Sequence, residues 1–484
     1  ATIHFFCFFT FFSMMQMVSA QRLEFFFIKS RFVKSGFDNI RIDTKNQNVF
    51  IPICRAARFY IGSSSLCSRY RIPSAPLQHR HEALFADVAL HEIIVCREQE
   101  AASVLQSRHG VEHEIILVAA RNEESVIGSL VESLLAQDYP KELFDVYVIP
   151  NNCSDDTAEA ARRAGAWILT CTAPVKCKGD ALSFAFDYFE KKGNPYDAFC
   201  IFDADNLVDR NFLRSMNDAF CSGAKAAQGR RDSKNPYDSP LTGSYSIYYW
   251  MISRFYNHPR SLWNLSAVIN GCGFAVSAGL LKEIGGFHTK TLTEDLEFTT
   301  QCILRDQKVA WVPDAVFYDE SPLQFSPSWK QRRRWSTGVF QCLRLYGPRL
   351  LGKLIRERKL LCLDQFLFLT APLMQILSLV PAALATLLFL LSPGRPTAAF
   401  LLPLLLPLLR GILLSVAVTL LGGSFIVFLE KRPFRKLWKA VLYYWIFLAS
   451  WIPINVVCLF RRSTTWTEIK HTRSIPLREI SSAK

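Results

Sequence analysis

The stretch Phe199-Cys-Ile-Phe-Asp-Ala-Asp-Asn206 combines an apolar run with two carboxylates at its end. Ala198 to Phe202 carry no charge, which is typical of a strand covered on both faces of a sheet. With the two-residue period of a strand, Asp203 and Asp205 are expected to project to the same side. Such oxygen ligands suit a hard divalent cation, which could also contact the phosphates of a ligand. An isolated Asp-x-Asp is, however, also an ordinary strand end or turn.

Strands and helices alternate on the N-terminal side of this stretch. Apolar patterning predicts strands over residues 115–120, 144–149 and 166–171, and helices over residues 126–135, 156–164 and 179–190. This alternation predicts an α/β fold with a mainly parallel sheet and right-handed crossovers. Ligands bind at the carboxyl ends of the strands in such sheets, which is where Asp203 and Asp205 emerge.

Composition indicates a membrane protein with a large intracellular part. The chain has 484 residues, of which 50% are hydrophobic and 38 are Phe. Its formal net charge of +14 is compatible with nucleic-acid binding, but many basic residues border apolar segments, where positive charge favours cytoplasmic loops and anionic lipid. We therefore expect no nucleic-acid partner. The 14 cysteines show no paired metal spacing and are expected to be reduced, mostly buried thiols of a cytosolic domain.

Four regions follow from these patterns. Residues 1–110 are unassigned, with an uncharged run at 3–17 that is a possible N-terminal membrane anchor; residues 111–345 form the α/β domain, 360–460 membrane helices and 461–484 a basic tail. The apolar segments 366–391, 400–429 and 441–460 are each long enough to cross a bilayer.

The orientation of these segments stays open at this stage. Basic residues occur both at 431–436 and in the tail, on the two sides of one apolar segment, so both stretches cannot lie on the cytoplasmic side if that segment spans. One segment is therefore a candidate for a re-entrant or interfacial position.

Six polar motifs follow one another along the α/β region. They are Ala120-Arg-Asn-Glu123, Asn151-Asn-Cys-Ser-Asp-Asp156, Lys178-Gly179, Asp203-Ala-Asp205, Thr293-Glu-Asp295 and Gln331-Arg-Arg-Arg-Trp335. In this set and order the chain resembles the family 2 glycosyltransferases with the GT-A fold, most closely the membrane synthases of cellulose, chitin, hyaluronan and poly-N-acetylglucosamine. The resemblance covers about residues 112–345 and extends loosely through the apolar C-terminal part. By loose resemblance to C-terminal motifs near the transport pore of the family, residues 466–473 are expected to be cytosolic. It implies a GT-A catalytic domain, Rossmann-like, followed by transmembrane helices.

The resemblance assigns roles at the donor. Asp205, with Asp203 beside it, would hold Mg²⁺ or Mn²⁺ against the diphosphate of a UDP-sugar, where negative charge grows as the sugar leaves. Lys178 would reach the nucleotide, or else be a solvated lysine at a helix start. Glu123 would contact the nucleoside, or else interact with the dipole of the helix that follows it. Family members often carry Asp-Asp where this chain has Pro150-Asn151; the Asn151 amide can still pair with a uracil edge.

Roles at the acceptor follow in the same way. Asp295, paired with Glu294, would be the general base that takes the proton of the acceptor hydroxyl, although Thr-Glu-Asp at a helix start is also ordinary capping. Gln331 and Arg334 belong to the pattern Gln-x-x-Arg-Trp; Arg334 would meet the diphosphate, and Trp335 would stack on the acceptor sugar. Helical spacing after Trp335 predicts an amphipathic helix at the membrane surface.

The sequence therefore predicts a multi-pass protein of the cell membrane with a cytoplasmic catalytic domain. Its expected activity is inverting transfer of a sugar from a UDP-sugar to a growing β-linked polysaccharide, with processive export. Transfer of a single sugar to a lipid or short glycan is the alternative, and a non-catalytic membrane protein is a further one. Expected partners are the UDP-sugar donor, a glycan or lipid-linked acceptor, and membrane lipids.

Overall fold

A computed structural model describes residues 113–193, 195–380, 384, 387 and 398–460. The strands are β1 (Glu114–Ala120), β2 (Phe144–Pro150), β3 (Trp167–Ile168), β4 (Ala198–Asp203), β5 (Leu207–Val208), β6 (Ala226–Ser233), β7 (Phe274–Ser277) and β8 (Val309–Asp319). The helices of the α/β part are α1 (Glu124–Leu135), α2 (Thr157–Arg163), α3 (Lys178–Lys191), α4 (Phe212–Cys221), α5 (Pro240–Ile252), α6 (His258–Leu262), α7 (Ala278–Ile284) and α8 (Glu294–Leu304). The helices that follow are α9 (Phe325–Glu357), α10 (Leu360–Leu377), α11 (Ala398–Leu429), α12 (Phe434–Ala449) and α13 (Trp451–Phe460).

The described strands form one sheet in the order β3-β2-β1-β4-β7-β6-β8-β5. The pairs β1–β2, β1–β4, β2–β3 and β6–β8 are parallel. The predicted α/β class with a mainly parallel sheet is thereby confirmed. The antiparallel strand β7, which lies between β4 and β6, did not appear in the sequence prediction. It is only four residues long and follows a glycine-rich turn.

Alternate residues of the central strands supply two cores. Ile115 and Leu117 of β1 join Phe199 and Ile201 of β4 in a cluster with α3 on one face. The intervening residues of both strands join a second cluster with α1 and α4 on the other face. Burial on both faces explains why these strands read as uninterrupted apolar runs.

The strand predicted over residues 166–171 is shorter than expected. It comprises only Trp167 and Ile168, which pair with Tyr147 and Val148 of β2. As an edge strand β3 has one neighbour, and Trp167 is 61% exposed. The strand therefore ends where that single ladder ends.

The geometry expected of the two aspartates needs a correction. Strand β4 ends at Asp203, and Asp205 lies in the turn that follows, closed by the bond from Asn206 N to Asp203 O at 3.0 Å. The two-residue period therefore does not relate Asp203 to Asp205. The Asn206 side chain causes this turn in part, because its Oδ1 accepts from Asp203 N at 3.0 Å.

Within the described residues, three helical segments are long and apolar enough to cross a membrane: Leu360–Leu377, Leu409–Leu429 and Phe434–Phe460. They overlap the three predicted segments. Three predicted stretches lie outside the described residues: most of residues 381–391, the possible anchor at 3–17 and the tail at 466–473. The last segment consists of α12 and α13, which part at Ser450.

Helix α12 packs on the α/β domain through α5. Its residues Leu437, Ala440, Val441 and Phe447 share a buried cluster with α5. Gly243 of α5 makes this contact possible, because a Cβ there would lie 2.4 Å from the Cβ of Ala440. The buried apolar residues of α12 recur at helical spacing, which is why this segment reads as apolar in the sequence.

We expect Gly243→Ala to destabilise the protein, because the added methyl group overpacks the contact between α5 and α12. The free energy of unfolding should fall by about 1–3 kcal/mol, measured by denaturant titration in one detergent. Gly128→Ala in α1 is the matched control, since a Cβ there meets no atom of the described residues within 4 Å, and it should leave stability unchanged or slightly raised. Equal stability of the two variants would show that α12 does not pack closely on α5.

Candidate active site

The ten candidate residues line one cavity of about 1080 Å³. They are Glu123, Asn151, Lys178, Asp203, Asp205, Glu294, Asp295, Gln331, Arg334 and Trp335. They come from the ends of β1, β2 and β4, from the first residues of α3 and α8, and from α9. The carboxyl ends of the parallel strands therefore meet the long helix α9 at this cavity, while the roles given to the residues stay predictions.

An ion pair joins the start of α3 to the end of β4. Lys178 Nζ donates to Asp203 Oδ1 at 2.5 Å and to the carbonyl oxygen of Gly271 at 2.6 Å. Burial opposes ionisation of Asp203, but the charge of Lys178 and the bond from it outweigh burial, and Arg231 and Arg334 add to this, so the pKa of Asp203 lies below its usual value. Lys178 is therefore a structural partner of Asp203 and no solvated helix-start lysine.

The turn that carries Asp205 is held from behind by a buried polar network. Lys234 Nζ donates to the carbonyl oxygen of Asp205 at 2.8 Å. The side-chain amide of Asn206 donates to Asp319 Oδ1 at 2.8 Å, and the other oxygen of Asp319 pairs with Arg231. Asp205 itself is 4% exposed. The network fixes the backbone on which the carboxylate of Asp205 is presented to the cavity.

Asn151 is engaged inside the protein. Its amide nitrogen donates to Ala120 O at 3.0 Å, and its Oδ1 accepts from Arg121 NH2 at 2.9 Å and from Arg121 Nε at 3.1 Å. In this arrangement Asn151 orients Arg121, whose side chain lines the cavity. The predicted pairing of Asn151 with a uracil edge would require these bonds to be exchanged.

Glu294 and Asp295 open α8 at the opposite wall of the cavity. Asp295 is partly buried, and its Oδ1 accepts from the backbone N–H of Leu296 at 2.8 Å. Burial raises the pKa of Asp295 to about 7, and the neighbouring charge of Glu294 adds to the rise. The preceding Thr293 makes no side-chain capping bond with the described residues. A carboxylate with a pKa near neutrality suits a general base.

A glycine-rich loop connects the two acidic pairs. Gly271 has φ +84°, and a Cβ there would lie 3.6 Å from Asp295 Oδ2, while its carbonyl oxygen accepts from Lys178. Backbone with positive φ favours glycine. The loop before β7 therefore lies between Lys178 and Asp295 and is close to both.

Helix α9 brings the residues of the Gln-x-x-Arg-Trp pattern to the cavity. Gln331 Oε1 accepts from Tyr245 OH at 3.1 Å, and the charge of Arg334 acts on both Asp203 and Asp295. Trp335 lies nearly parallel to Trp451 of α13, with ring centroids 6.2 Å apart and planes 21° apart.

Close approach of α9 to the start of α8 depends on Gly338. A Cβ at this position would lie 2.2 Å from Thr293 Oγ1. Residues after Trp335 also pack inward, since Cys342 is fully buried. The helix that was expected at the membrane surface is therefore also one wall of the site.

The cavity continues beyond Trp335 between the candidate membrane helices. Its walls there are largely apolar and come from α10, α11 and α13: Phe366, Leu367, Phe368, Thr370, Ala371, Pro372, Met374, Gln375, Ser378, Val418, Thr419, Gly422, Gly423, Phe425, Ile426, Trp451 and Asn455. One continuous space thus joins the carboxylates at the sheet edge to the membrane part of the chain.

Sequence reasoning gave no role to Arg121, Arg231 or Asp319. Arg121 lay inside a recognised motif without a role of its own. Arg231 and Asp319 lie in strands β6 and β8, where both are buried. The sequence signal that could have revealed Arg231 and Asp319 is a charged residue inside an otherwise buried strand, because a buried charge needs a partner.

An α/β domain with a carboxylate-rich cavity at its strand ends belongs to the class of ligand-binding α/β proteins whose sites lie at that edge. Residues 114–338 match the family model described as glycosyltransferase like family 2. Over this part of the chain the sequence is therefore similar to a family 2 glycosyltransferase domain.

Several curated proteins are similar to this domain. The probable glycosyltransferase YdaM of Bacillus subtilis is 27% identical over 237 residues, 46% of this chain and 54% of that protein. The beta-monoglucosyldiacylglycerol synthase of Synechocystis is 26% identical over 238 residues, 47% of each chain. The UDP-forming cellulose synthase catalytic subunit of Pseudomonas fluorescens is 25% identical over 282 residues, 53% of this chain and 36% of that protein.

The chain thus spans about half the length of the first two relatives. Among solved structures, the mannosyltransferase PcManGT from Pyrobaculum calidifontis in complex with GDP-Man and Mn²⁺ is 18% identical, covers 73% of this chain and 97% of its own, and has a TM-score of 0.47. That likeness is too distant to inform the ligands of this chain.

We expect activity to depend on an ionised Asp295. As pH falls below about 7, protonation should remove the base, and kcat/KM should drop about tenfold per pH unit. In Glu294→Gln the acid limb of the pH profile should move to lower pH, because the like charge that raises the Asp295 pKa is gone. Glu283→Gln, on the exposed surface and paired with Lys225, is the control and should leave the limb in place. A Glu294→Gln limb identical to wild type would exclude this coupling.

Proposed function

We propose that the protein is a membrane-bound inverting glycosyltransferase that transfers a sugar from a UDP-sugar to an acceptor approaching along the membrane helices. The observation that carries the proposal is the single cavity, which extends from Asp205 and Asp295 past Trp335 into the space between α10 and α11. A donor at the sheet edge and an acceptor on the membrane side would meet at Asp295.

The donor end suits a diphosphate with a divalent cation. Mg²⁺ is commonly bound by one or two carboxylates together with substrate phosphates. Asp205 and Asp203 would therefore be enough ligands from the protein. The described residues contain no group of three or more metal-ligating side chains. Asp205 would be the main ligand, as the resemblance implies, with Asp203, which is paired with Lys178, beside it. A bound Mg²⁺ or Mn²⁺ would neutralise charge on the departing UDP.

The protein's own groups supply the remaining steps. Arg334 and Arg121 line the cavity as fixed positive charges for the diphosphate. The acceptor hydroxyl loses its proton to Asp295 as its oxygen attacks the anomeric carbon, and the bond from that carbon to the diphosphate oxygen breaks. Attack from the face opposite the leaving group converts an α-linked donor into a β-linked product.

Processive synthesis of a β-linked polysaccharide with export is the favoured version. It is supported by the Gln-x-x-Arg-Trp segment at the mouth of the membrane part and by similarity to proteins named cellulose synthase and poly-beta-1,6-N-acetyl-D-glucosamine synthase. Trp335 would hold the growing end by apolar contact with a pyranose face. The catalytic set is intact in this chain, which disfavours a non-catalytic membrane protein.

A glycolipid acceptor is the second candidate. The apolar walls contributed by α10 and α11 favour it, because an acyl chain would fill such a space without needing hydrogen bonds. Similarity to proteins named beta-monoglucosyldiacylglycerol synthase agrees with it. In this version Asp295 has the same role, and the product is released after one transfer.

The arrangement of α12 supports an interfacial position for it, with the catalytic domain on the cytoplasmic side. Lys436, in its first turn, lies over the ring of Tyr237 with Nζ 5.0 Å from the ring centroid, and its apolar face is covered by α5. Arg332 of α9 donates to Phe447 O at 3.1 Å, at the carboxyl end of α12. An interfacial α12 would allow both basic stretches of the sequence to lie on one side of the membrane.

We expect the full chain in lipid nanodiscs, given a panel of radiolabelled UDP-sugars, to form a polymer that can be sized by gel filtration. Trp335→Ala should shorten or abolish the polymer, because the terminal sugar is no longer retained, while release of UDP from the donor persists.

Leu345→Ala is the control for this test. It removes an apolar side chain of the same helix that is 45% exposed and does not line the cavity, so product length should not change. If the wild-type protein adds only one sugar to a purified diacylglycerol acceptor under excess donor, the processive version is wrong and the glycolipid candidate replaces it.

A further inference from the structure

A carboxylate that does not line the cavity holds the loop that leads into α8. Glu297 of α8 is fully buried, and its Oε2 accepts from the backbone N–H groups of Lys290 and Thr291, both at 2.7 Å. Burial removes water from a carboxylate, so hydrogen bonds inside the protein must replace it. We call residues 289–293 the base loop. Glu297 thus fastens the base loop to the first turn of α8.

Helix α9 holds the same loop through two side chains. The Tyr346 hydroxyl donates to Glu297 Oε1 at 2.7 Å and accepts from the side-chain amide of Gln301 at 3.0 Å. Nearer the start of α9, Gln341 Oε1 accepts from the backbone N–H of Leu292 at 2.9 Å. Three consecutive N–H groups of the base loop are therefore bonded to side chains of α8 or α9.

The α9 residues that make these contacts continue the face of the helix that lines the cavity. Arg334 and Trp335 line the cavity. Gly338, Gln341 and Tyr346 contact the base loop or the carboxylate that holds it. At about 3.6 residues per turn, these five residues fall on one side of the helix. One face of a single helix therefore both lines the site and holds the loop before the expected general base.

The base loop also packs on the start of α3. A Cβ at Gly179 would lie 2.5 Å from Thr289 Oγ1 and 3.2 Å from Glu294 Cβ, so a larger residue would push the loop away. Gly179 directly follows Lys178, the partner of Asp203. The base loop is therefore in contact with α3, α8 and α9, the three helices that carry residues of the site.

We propose that Glu297, Gln341 and Tyr346 are positioning residues for the transfer step. They hold the base loop and thereby fix Asp295 relative to Arg334 at the donor end of the cavity. None of the three belongs to the described residues that line the cavity, so they act through the backbone. The inference rests on the proposed function, because Asp295 is a base only in that reaction. A displacement of about 1 Å in a reacting group costs about a hundredfold in rate.

The first measurement is hydrogen exchange of the base loop, read by mass spectrometry on the full chain in nanodiscs. Tyr346→Phe removes one hydroxyl and keeps the ring, and Glu297→Leu removes both acceptor oxygens. Each should raise the exchange rate of a peptide covering residues 289–293 about threefold to tenfold. Glu297→Gln should stay near the wild-type rate, because its amide oxygen still accepts from the loop. If Glu297→Leu does not fold, Tyr346→Phe decides.

Kinetics of the same variants separate positioning from a general loss of stability. In Tyr346→Phe and Glu297→Leu, kcat for transfer should fall about tenfold to a hundredfold, while the KM for the donor and the affinity for UDP stay at wild-type values. Glu297→Gln should restore most of kcat.

Tyr196→Phe is the matched control for this test. The Tyr196 hydroxyl also donates to a carboxylate, Asp145 Oδ2, at 2.8 Å, but Asp145 lies at the start of β2, at the opposite end of that strand from the cavity. This variant should lose stability as Tyr346→Phe does and keep both kcat and the exchange rate of the base loop. An equal loss of kcat in the two variants would overturn the positioning role.

The exchange and rate data also distinguish this inference from the proposed function. Unchanged exchange of the base loop in Tyr346→Phe and Glu297→Leu would overturn the inference. If the loop exchanges faster in these variants but kcat stays at the wild-type value, the transferase stands and the positioning role is wrong. If exchange responds as expected but the wild-type protein transfers no sugar from any UDP-sugar, the anchoring of the loop stands and the proposed function fails.

Discussion

The structure depends on holding four carboxylates in one largely buried cavity. Asp203, Asp205, Glu294 and Asp295 line the same space, and their mutual repulsion would be prohibitive without compensation. Lys178 provides the compensation at Asp203 through a direct ion pair. At Asp295, burial and the charge of Glu294 outweigh the positive charges of Lys178 and Arg334, so the pKa of Asp295 rises to about 7. The cavity thus holds one carboxyl group, Asp203, whose pKa lies below its usual value and another, Asp295, whose pKa lies near neutrality.

Strand β6 connects this site to the membrane part of the chain. Arg230 and Asp232 pair with Glu430 and Arg432, just after the end of α11. The residue between them, Arg231, points the other way and pairs with Asp319, which in turn holds Asn206 in the turn of Asp205. Because alternate residues of a strand face opposite sides, one strand reaches both the membrane helices and the donor site.

Much of the fold followed from sequence because apolar runs and helical spacing report burial directly. The strands at residues 115–120 and 144–149 and the carboxylates after β4 were predicted on that basis. Periodicity did not reveal the turn at Asp205, since a side chain of the next residue, Asn206, decides where the strand ends. It also missed β7, whose four residues are too few for a pattern.

The site was predictable only in part for a similar reason. Motifs named the residues that line the cavity, but partners distant in sequence determine what each can do. Asn151 is occupied by Ala120 and Arg121, and no local pattern shows this. Asn455 of α13 also lines the cavity, but it lies in a segment that reads as uniformly apolar, because a single Asn in a hydrophobic run does not disturb its pattern.

Calorimetric titration of UDP into the purified full chain, with and without Mn²⁺, tests the division of the carboxylates most directly. The account predicts that Mn²⁺ strengthens UDP binding to the wild type and that Asp205→Asn loses this increment. Asp295→Asn should bind UDP with Mn²⁺ as the wild type does, although it transfers no sugar. If Asp205→Asn keeps the full Mn²⁺-dependent increment, or if Asp295→Asn loses it, the assignment of a donor side and a base side is wrong.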